Sequence, residues 1–211
     1  MRIVSILLAA AVIFICSCSE PETKNDTPAD ITPALKKFDK QLVDHFPSDG
    51  KFQLASYHLY YPDSSAGTGM GVWLRARYQT THEKIDSLLK TLSENAQTVC
   101  YPETPCNMLL PVRDTEKKTT GEPEIIDCKE GAELTPVPSF TEELKDMSLS
   151  MLPHLPKSYV LYVLEAKSGK YLPGSLLMKE GTMPAGWEHG ITKGVAVNPG
   201  KYEVIYWIEM W

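Results

Sequence analysis

"KYEVIYWIEMW", residues 201–211, is the stretch from which the fold is predicted. Successive side chains of a β-strand point to opposite faces of the sheet. One face of this segment carries Val204, Tyr206, Ile208 and Met210. The other face carries Glu203, Ile205, Trp207, Glu209 and Trp211. Because both faces bear large apolar groups, we expect a central strand that is covered on both sides and buries Trp207 or Trp211.

The residues before this strand predict its partners. The sequence "GVAV" at 194–197 is separated from it by Asn198-Pro199-Gly200, which favours a hairpin with a type II turn. Residues 158–166, "SYVLYVLEA", read as another buried strand, and residues 175–181 as a weaker one.

The first half of the chain predicts a second hairpin. Residues 52–61 and 72–78 are rich in β-forming residues and are joined by a glycine-bearing loop. A phosphate-binding loop requires a helix directly after it, whereas here a strand follows. In residues 72–78, apolar side chains alternate with Trp73, Arg75 and Arg77, as in a half-exposed strand.

Two amphipathic helices are predicted beside these strands. Pro33–His45 begins after the capping hydroxyl of Thr32, and Thr81–Thr98 begins with a capping-box pattern. The predicted fold class is therefore α+β, with antiparallel sheet(s) and two main covering helices.

The N-terminal residues resemble the lipobox of bacterial lipoproteins. Residues 3–15 are apolar except for one serine and are too short for a membrane-spanning helix. Ile15, Ser17 and Cys18 match the aliphatic, small and cysteine positions of the lipobox. Cleavage before Cys16 would instead place an isoleucine next to the cut. The resemblance implies a signal peptide at residues 1–17, lipidation of Cys18 and stable attachment to a membrane.

The segment that follows Cys18 is polar, acidic and rich in proline and threonine. We therefore predict a flexible tether at residues 18–32 and a single α+β globular domain at residues 33–211. Glu20 and Glu22 resemble the acidic export signal of some surface lipoproteins. The implied location is the cell envelope, on the periplasmic or surface face of the outer membrane.

The net charge of the chain restricts the kinds of partner that it can bind. Removal of residues 1–17 takes away Arg2 and no acidic residue, so the net charge falls from −6 to −7. An acidic chain without a Lys/Arg cluster is a poor candidate for binding nucleic acid. The membrane, through the N-terminal lipid, and an unidentified protein or glycan ligand are the expected partners.

Three cysteines remain after the signal peptide. Cys100 and Cys106 flank the proline-shaped loop "YPETP", which predicts a disulfide between them, with Cys128 as an alternative partner for either. The spacing does not match a zinc site, and no metal or cofactor is predicted.

The candidate binding residues lie in "MPAGWEHGITKG", residues 183–194. Glycines bracket Trp187, Glu188 and His189, which predicts an unusual backbone that displays these side chains. An aromatic ring beside an acid and a histidine is suited to a sugar or peptide ligand, or to acid–base chemistry. The alternative is a surface loop whose tryptophan packs back on the sheet.

The sequence therefore favours a lipid-anchored, non-catalytic binding or structural module of the cell envelope. No short catalytic motif is present, so no catalytic residue is assigned. An envelope hydrolase with an unrelated site and an immunity or inhibitor lipoprotein are the alternatives.

Overall fold

The C-terminal strand lies inside a six-stranded sheet in which every neighbouring pair is antiparallel. The computed structural model describes residues 30–47, 52–62, 69–114, 119–179 and 181–211. The signal-peptide, Cys18 and most of the tether predictions lie outside these residues. In spatial order the strands are β1 (Gln53–Tyr60), β2 (Val72–Gln79), β11 (Glu203–Met210), β10 (Gly190–Asn198), β9 (Val160–Ser168) and β3 (Thr98–Cys100).

Four helices and five short strands complete the described chain. The helices are α1 (Thr32–Leu35), α2 (Lys40–Val43), α3 (His82–Asn95) and α4 (Thr141–Asp146). The short strands are β4 (Asn107–Leu109), β5 (Arg113–Asp114), β6 (Thr119–Thr120), β7 (Glu124–Ile125) and β8 (Thr135–Val137). In the three-stranded sheet, β4 pairs with β7 antiparallel and with β8 parallel, and β5 pairs with β6.

The prediction for the C-terminal strand is confirmed. All eight residues of β11 are buried, and both Trp207 and Trp211 are fully buried. On one face of the sheet, β11 packs with β2, β10 and β9 against α3 and the segment 31–46. On the other face, Ile205 and Trp207 pack against residues of segment 137–159. The sheet is therefore covered on both sides.

Both predicted hairpins are confirmed, although one turn differs. β1 pairs with β2, and β10 pairs with β11. The predicted type II turn is wrong, since Pro199–Lys201 forms a 3-10 turn. The Asn198 side chain accepts a hydrogen bond from the Lys201 amide at 3.2 Å, and the left-handed conformation falls on Tyr202 (φ 51°).

The α+β class and the antiparallel main sheet are confirmed, but two main covering helices are not. The predicted helix at 33–45 is two four-residue helices, α1 and α2. Asp39 adopts an extended backbone between them, and its side chain accepts a hydrogen bond from the Gln41 amide, so it caps a new helix. Only α3 exceeds six residues among the described helices.

The prediction that residues 72–78 form a half-exposed strand is wrong. Arg75 is 4% exposed and Trp73 is 9% exposed. The segment that carries α4 covers this face, and Arg75 is matched there by buried carboxylates. The predicted strand at 175–181 is also absent from the described part of that segment, where residues 174–176 form a turn.

The predicted Cys100–Cys106 disulfide is wrong, and Cys106 pairs with the alternative partner, Cys128. Pairing of β4 with β7 brings the two chain segments together, and the Cys106 amide donates to the carbonyl oxygen of Ile126 at 2.7 Å. Cys100 instead turns into the core from the end of β3. Burial raises the pKa of its thiol to about 11, so Cys100 stays protonated and unreactive at neutral pH.

Candidate functional site

The candidate site is an open groove at one end of the β9–β10 pair. Ser168, the last residue of β9, lies opposite Gly190, the first residue of β10. The connection 169–189 leaves and returns at this end of the sheet. The groove has a volume of about 630 Å³. It is lined by Ser168, Gly169, Lys170, Gly186, Glu188 and His189.

Glycines shape the two walls of the groove. Gly169 has φ 139° and Gly186 has φ 83°, which are conformations that other residues rarely adopt. The Gly169 amide donates to the carbonyl oxygen of His189 at 2.9 Å, which ties the walls together. At Gly190, a Cβ atom would lie 2.5 Å from the Trp211 ring. The predicted unusual backbone is therefore present at Gly186, while Gly190 permits close packing.

Trp187 holds the loop against the sheet. Its ring is half-buried and lies 6.0 Å, centroid to centroid, from the ring of Trp211. The Trp211 Nε1 donates to the carbonyl oxygen of Trp187 at 2.8 Å. Trp187 is not among the residues that line the groove. The predicted trio is therefore divided, with Glu188 and His189 in the groove and Trp187 packed behind them.

Glu188 is an exposed carboxylate that its own loop holds in place. The Gly186 amide donates to Oε1 at 3.1 Å. Hydrogen bonds from the amides of Glu188 itself and of Gly186 lower the pKa of this carboxyl below its ordinary value. Glu188 is therefore ionised at neutral pH, where it can accept hydrogen bonds but has no proton to donate.

His189 is 9% exposed, so its imidazole forms a buried part of the groove wall. Its Nδ1 has no hydrogen-bond partner among the described residues. A buried polar atom without a partner is costly, and native structures contain few of them. This ring therefore has one nitrogen that is shielded from water and lacks a hydrogen-bond partner among the described residues.

The opposite wall of the groove, Ser168-Gly169-Lys170, was not predicted from the sequence as part of a site. The pairing of Ser168 with Gly190 places this turn beside the loop that carries His189. The register of the two strands was the signal that could have linked them. Lys170 is exposed and forms no ion pair with another described side chain. The groove therefore contains an available ammonium as well as a carboxylate.

A second group of charged residues lies on the covered face of the sheet. Arg75 Nη2 donates to Glu209 at 2.9 Å and Nη1 donates to Glu143 of α4 at 3.4 Å. Burial alone would lower the pKa of Arg75, but these two carboxylates raise it above its ordinary value. The adjacent cavity has a volume of about 20 Å³, which is enough for a single water molecule. This cluster therefore joins α4 to the sheet and leaves no space for a larger ligand.

Next to this cluster, a hydrogen-bonded chain reaches the edge strand. His58 Nε2 lies 2.9 Å from Asp146 of α4, and Arg77 donates to Glu203 at 2.8 Å. The hydroxyl of Tyr159 donates to the other oxygen of Glu203. Burial alone would raise the pKa of Asp146, but hydrogen bonds from Ser56 and His58 lower it. The contact between His58 and Asp146 also attaches α4 to the sheet.

No group of three or more metal-ligating side chains is found within the described ranges. In that same part of the chain, no helix is long and apolar enough to cross a membrane. No protein-family model matches this chain, and comparisons with curated proteins and with solved structures found no match.

Proposed function

We propose that this protein is a lipid-anchored binding module of the cell envelope, without catalytic activity, and that its ligand occupies the groove between Ser168–Lys170 and Gly186–His189. The observation that carries the proposal is an open groove that brings together a carboxylate held by its own loop, an ammonium without an ion pair among the described residues, and a buried imidazole. Pockets of 300–1,000 Å³ with a few convergent polar groups are typical of small-ligand sites.

The state of Glu188 favours binding over acid catalysis. A general acid must carry a proton near neutral pH, and hydrogen bonding lowers the pKa of Glu188 instead. Among the described residues, His189 makes no hydrogen bond to a serine, threonine or cysteine that it could activate as a nucleophile. The groups of the groove are suited to recognising charge and hydrogen bonds.

Membrane attachment is proposed through Cys18 and its lipobox resemblance. The described domain would then be linked to the lipid by the polar residues that follow Cys18. Cys18→Ala is expected to abolish labelling with palmitate and to release the protein from membranes. Labelling that survives in Cys18→Ala but disappears in Cys16→Ala would show that lipidation occurs at Cys16.

Binding is tested by mapping amide chemical shifts of isotopically labelled protein. The two probes are a tetramer of N-acetylglucosamine, for glycans, and the dipeptide alanylalanine, for peptides. Shifts confined to the amides of Ser168–Lys170 and Gly186–His189 with either probe would support the proposal. Release of product from either probe, or the absence of shifts with both probes, would contradict it.

A further inference from the structure

We infer that the groove selects a small zwitterion, an amino acid or short peptide that carries both a free ammonium and a free carboxylate. This inference rests on the proposed binding function and specifies its ligand class. The ligand's ammonium lies against Glu188, and its carboxylate lies against Lys170 and His189.

The groove is lined by charged side chains of both signs. Glu188 and Lys170 line the same groove but form no ion pair with each other. A free anion and a free cation that face one groove match a ligand with the opposite arrangement of charges. A purely anionic ligand would meet repulsion from Glu188, and a purely cationic one would meet repulsion from Lys170. The groove therefore discriminates against both kinds of singly charged ligand.

The anionic side is fixed before any ligand arrives. The Gly186 amide donates a hydrogen bond to one oxygen of Glu188 at 3.1 Å, and Gly186 itself has φ 83°. An ionised carboxylate has about four acceptor positions, so its backbone hydrogen bonds leave capacity for an ammonium. Because the carboxylate is already oriented, binding loses less side-chain entropy than with a free glutamate.

The cationic side has a feature that points to a ligand. His189 is more than nine-tenths buried, lines the groove and has Nδ1 without a partner among the described residues. Its backbone carbonyl accepts a hydrogen bond from the Gly169 amide, so His189 lies beside the turn that carries Lys170. A carboxylate that enters this side accepts a hydrogen bond from the ammonium of Lys170 and lies against the ring of His189.

Calorimetric titration of the protein with four dipeptides tests the inference. The probes are alanylalanine, its N-acetylated form, its C-terminal amide and the form blocked at both ends. Alanylalanine is expected to bind at least about tenfold more tightly than either singly blocked form, since each block removes one charge-assisted hydrogen bond. The doubly blocked form is expected to bind most weakly.

Charge variants assign each end of the ligand. Glu188→Gln is expected to bind alanylalanine and its N-acetylated form with similar affinity. Lys170→Gln is expected to bind alanylalanine and its C-terminal amide with similar affinity. Lys201→Gln and Glu83→Gln, which change exposed charges outside the groove, are the matched controls and should retain the full pattern. Circular dichroism melts confirm that each variant is folded.

The outcomes separate the inference from the proposed function. Equal affinity for free and blocked dipeptides would overturn the zwitterion and leave the binding function in place. Binding of the N-acetylglucosamine tetramer without binding of alanylalanine would also overturn the zwitterion and leave the binding function in place. Failure of both probe classes to bind would overturn both proposals.

Discussion

His45 is expected to make the domain sensitive to mild acid. Its ring is partly buried and lies against the rings of Phe46 and Tyr206, and its Nε2 lies 2.9 Å from the carbonyl oxygen of Trp207. A carbonyl oxygen only accepts hydrogen bonds, so Nε2 carries the hydrogen. Burial is the main reason that the pKa of His45 falls to about 4, and the nearby Lys193 lowers it further.

The sign and size of the effect follow from linkage. In the unfolded chain His45 takes up a proton below about pH 6.5, whereas in the folded protein it stays neutral until about pH 4. The unfolded state therefore binds more protons in this window, and the free energy of unfolding falls as the pH is lowered. Between pH 7 and pH 5 the loss from this residue alone is about 2 kcal/mol.

Urea unfolding followed by tryptophan fluorescence measures this loss at both pH values. With an m-value of about 2 kcal/mol per M, the midpoint should fall by roughly 1 M through His45 alone. His45→Gln removes the titrating group, so its drop should be smaller by that amount. His82→Gln is the control, because the His82 side chain is 73% exposed. Equal drops in wild type and His45→Gln, with unchanged m-values, would refute the reasoning.

Three further changes are expected to destabilise the domain. Cys128→Ser removes the bridge to Cys106, which spans a separation of 22 residues, and should cost about 3 kcal/mol in urea unfolding, whereas an unchanged midpoint would contradict a formed bridge. Arg75→Met removes the cation that pairs with the buried carboxylates of Glu143 and Glu209 and should cost about 3–5 kcal/mol in urea unfolding at pH 7. A variant as stable as the wild type would argue against this explanation. Gly194→Ala places a methyl group against the carbonyl oxygen of Tyr162 in the neighbouring strand and should cost about 1–3 kcal/mol, while Gly174→Ala, which meets nothing within 4 Å, is the control for thermal melts.

The central strand could be predicted because its own side chains indicate that both of its faces are buried. Large apolar side chains on both faces of β11 require cover on both sides, wherever the covering residues lie in the chain. The pairing of strands in the two hairpins could also be predicted from local sequence, since a turn and two neighbouring segments determine it.

The environment of Arg75 could not be predicted from the same kind of pattern. Alternation assigned it to solvent, but its partners Glu143 and Glu209 lie 68 and 134 positions away in the sequence. The disulfide shows the same limit, because the pairing of β4 with β7 selects Cys128 for Cys106. The burial of Arg75 and the partner of Cys106 were therefore predicted wrongly because both depend on contacts that are distant in the sequence.

The candidate site was predicted only in part, because one of its walls depends on contacts that are distant in the sequence. Glu188 and His189 were found from the glycines that bracket them in the sequence. Lys170 was not, since only the register of β9 against β10 brings its turn to the same groove.

The most direct test of a non-catalytic binding groove uses one sample of labelled protein with soluble fragments of bacterial cell wall, which carry both glycan and peptide. Amide shifts are mapped before and after addition, and a mass spectrum of the fragments is taken at the end. We predict shifts at Ser168–Lys170 and Gly186–His189, with every fragment mass unchanged. Shifts elsewhere in the domain, or fragments whose masses show that a bond has been hydrolysed, would contradict the account.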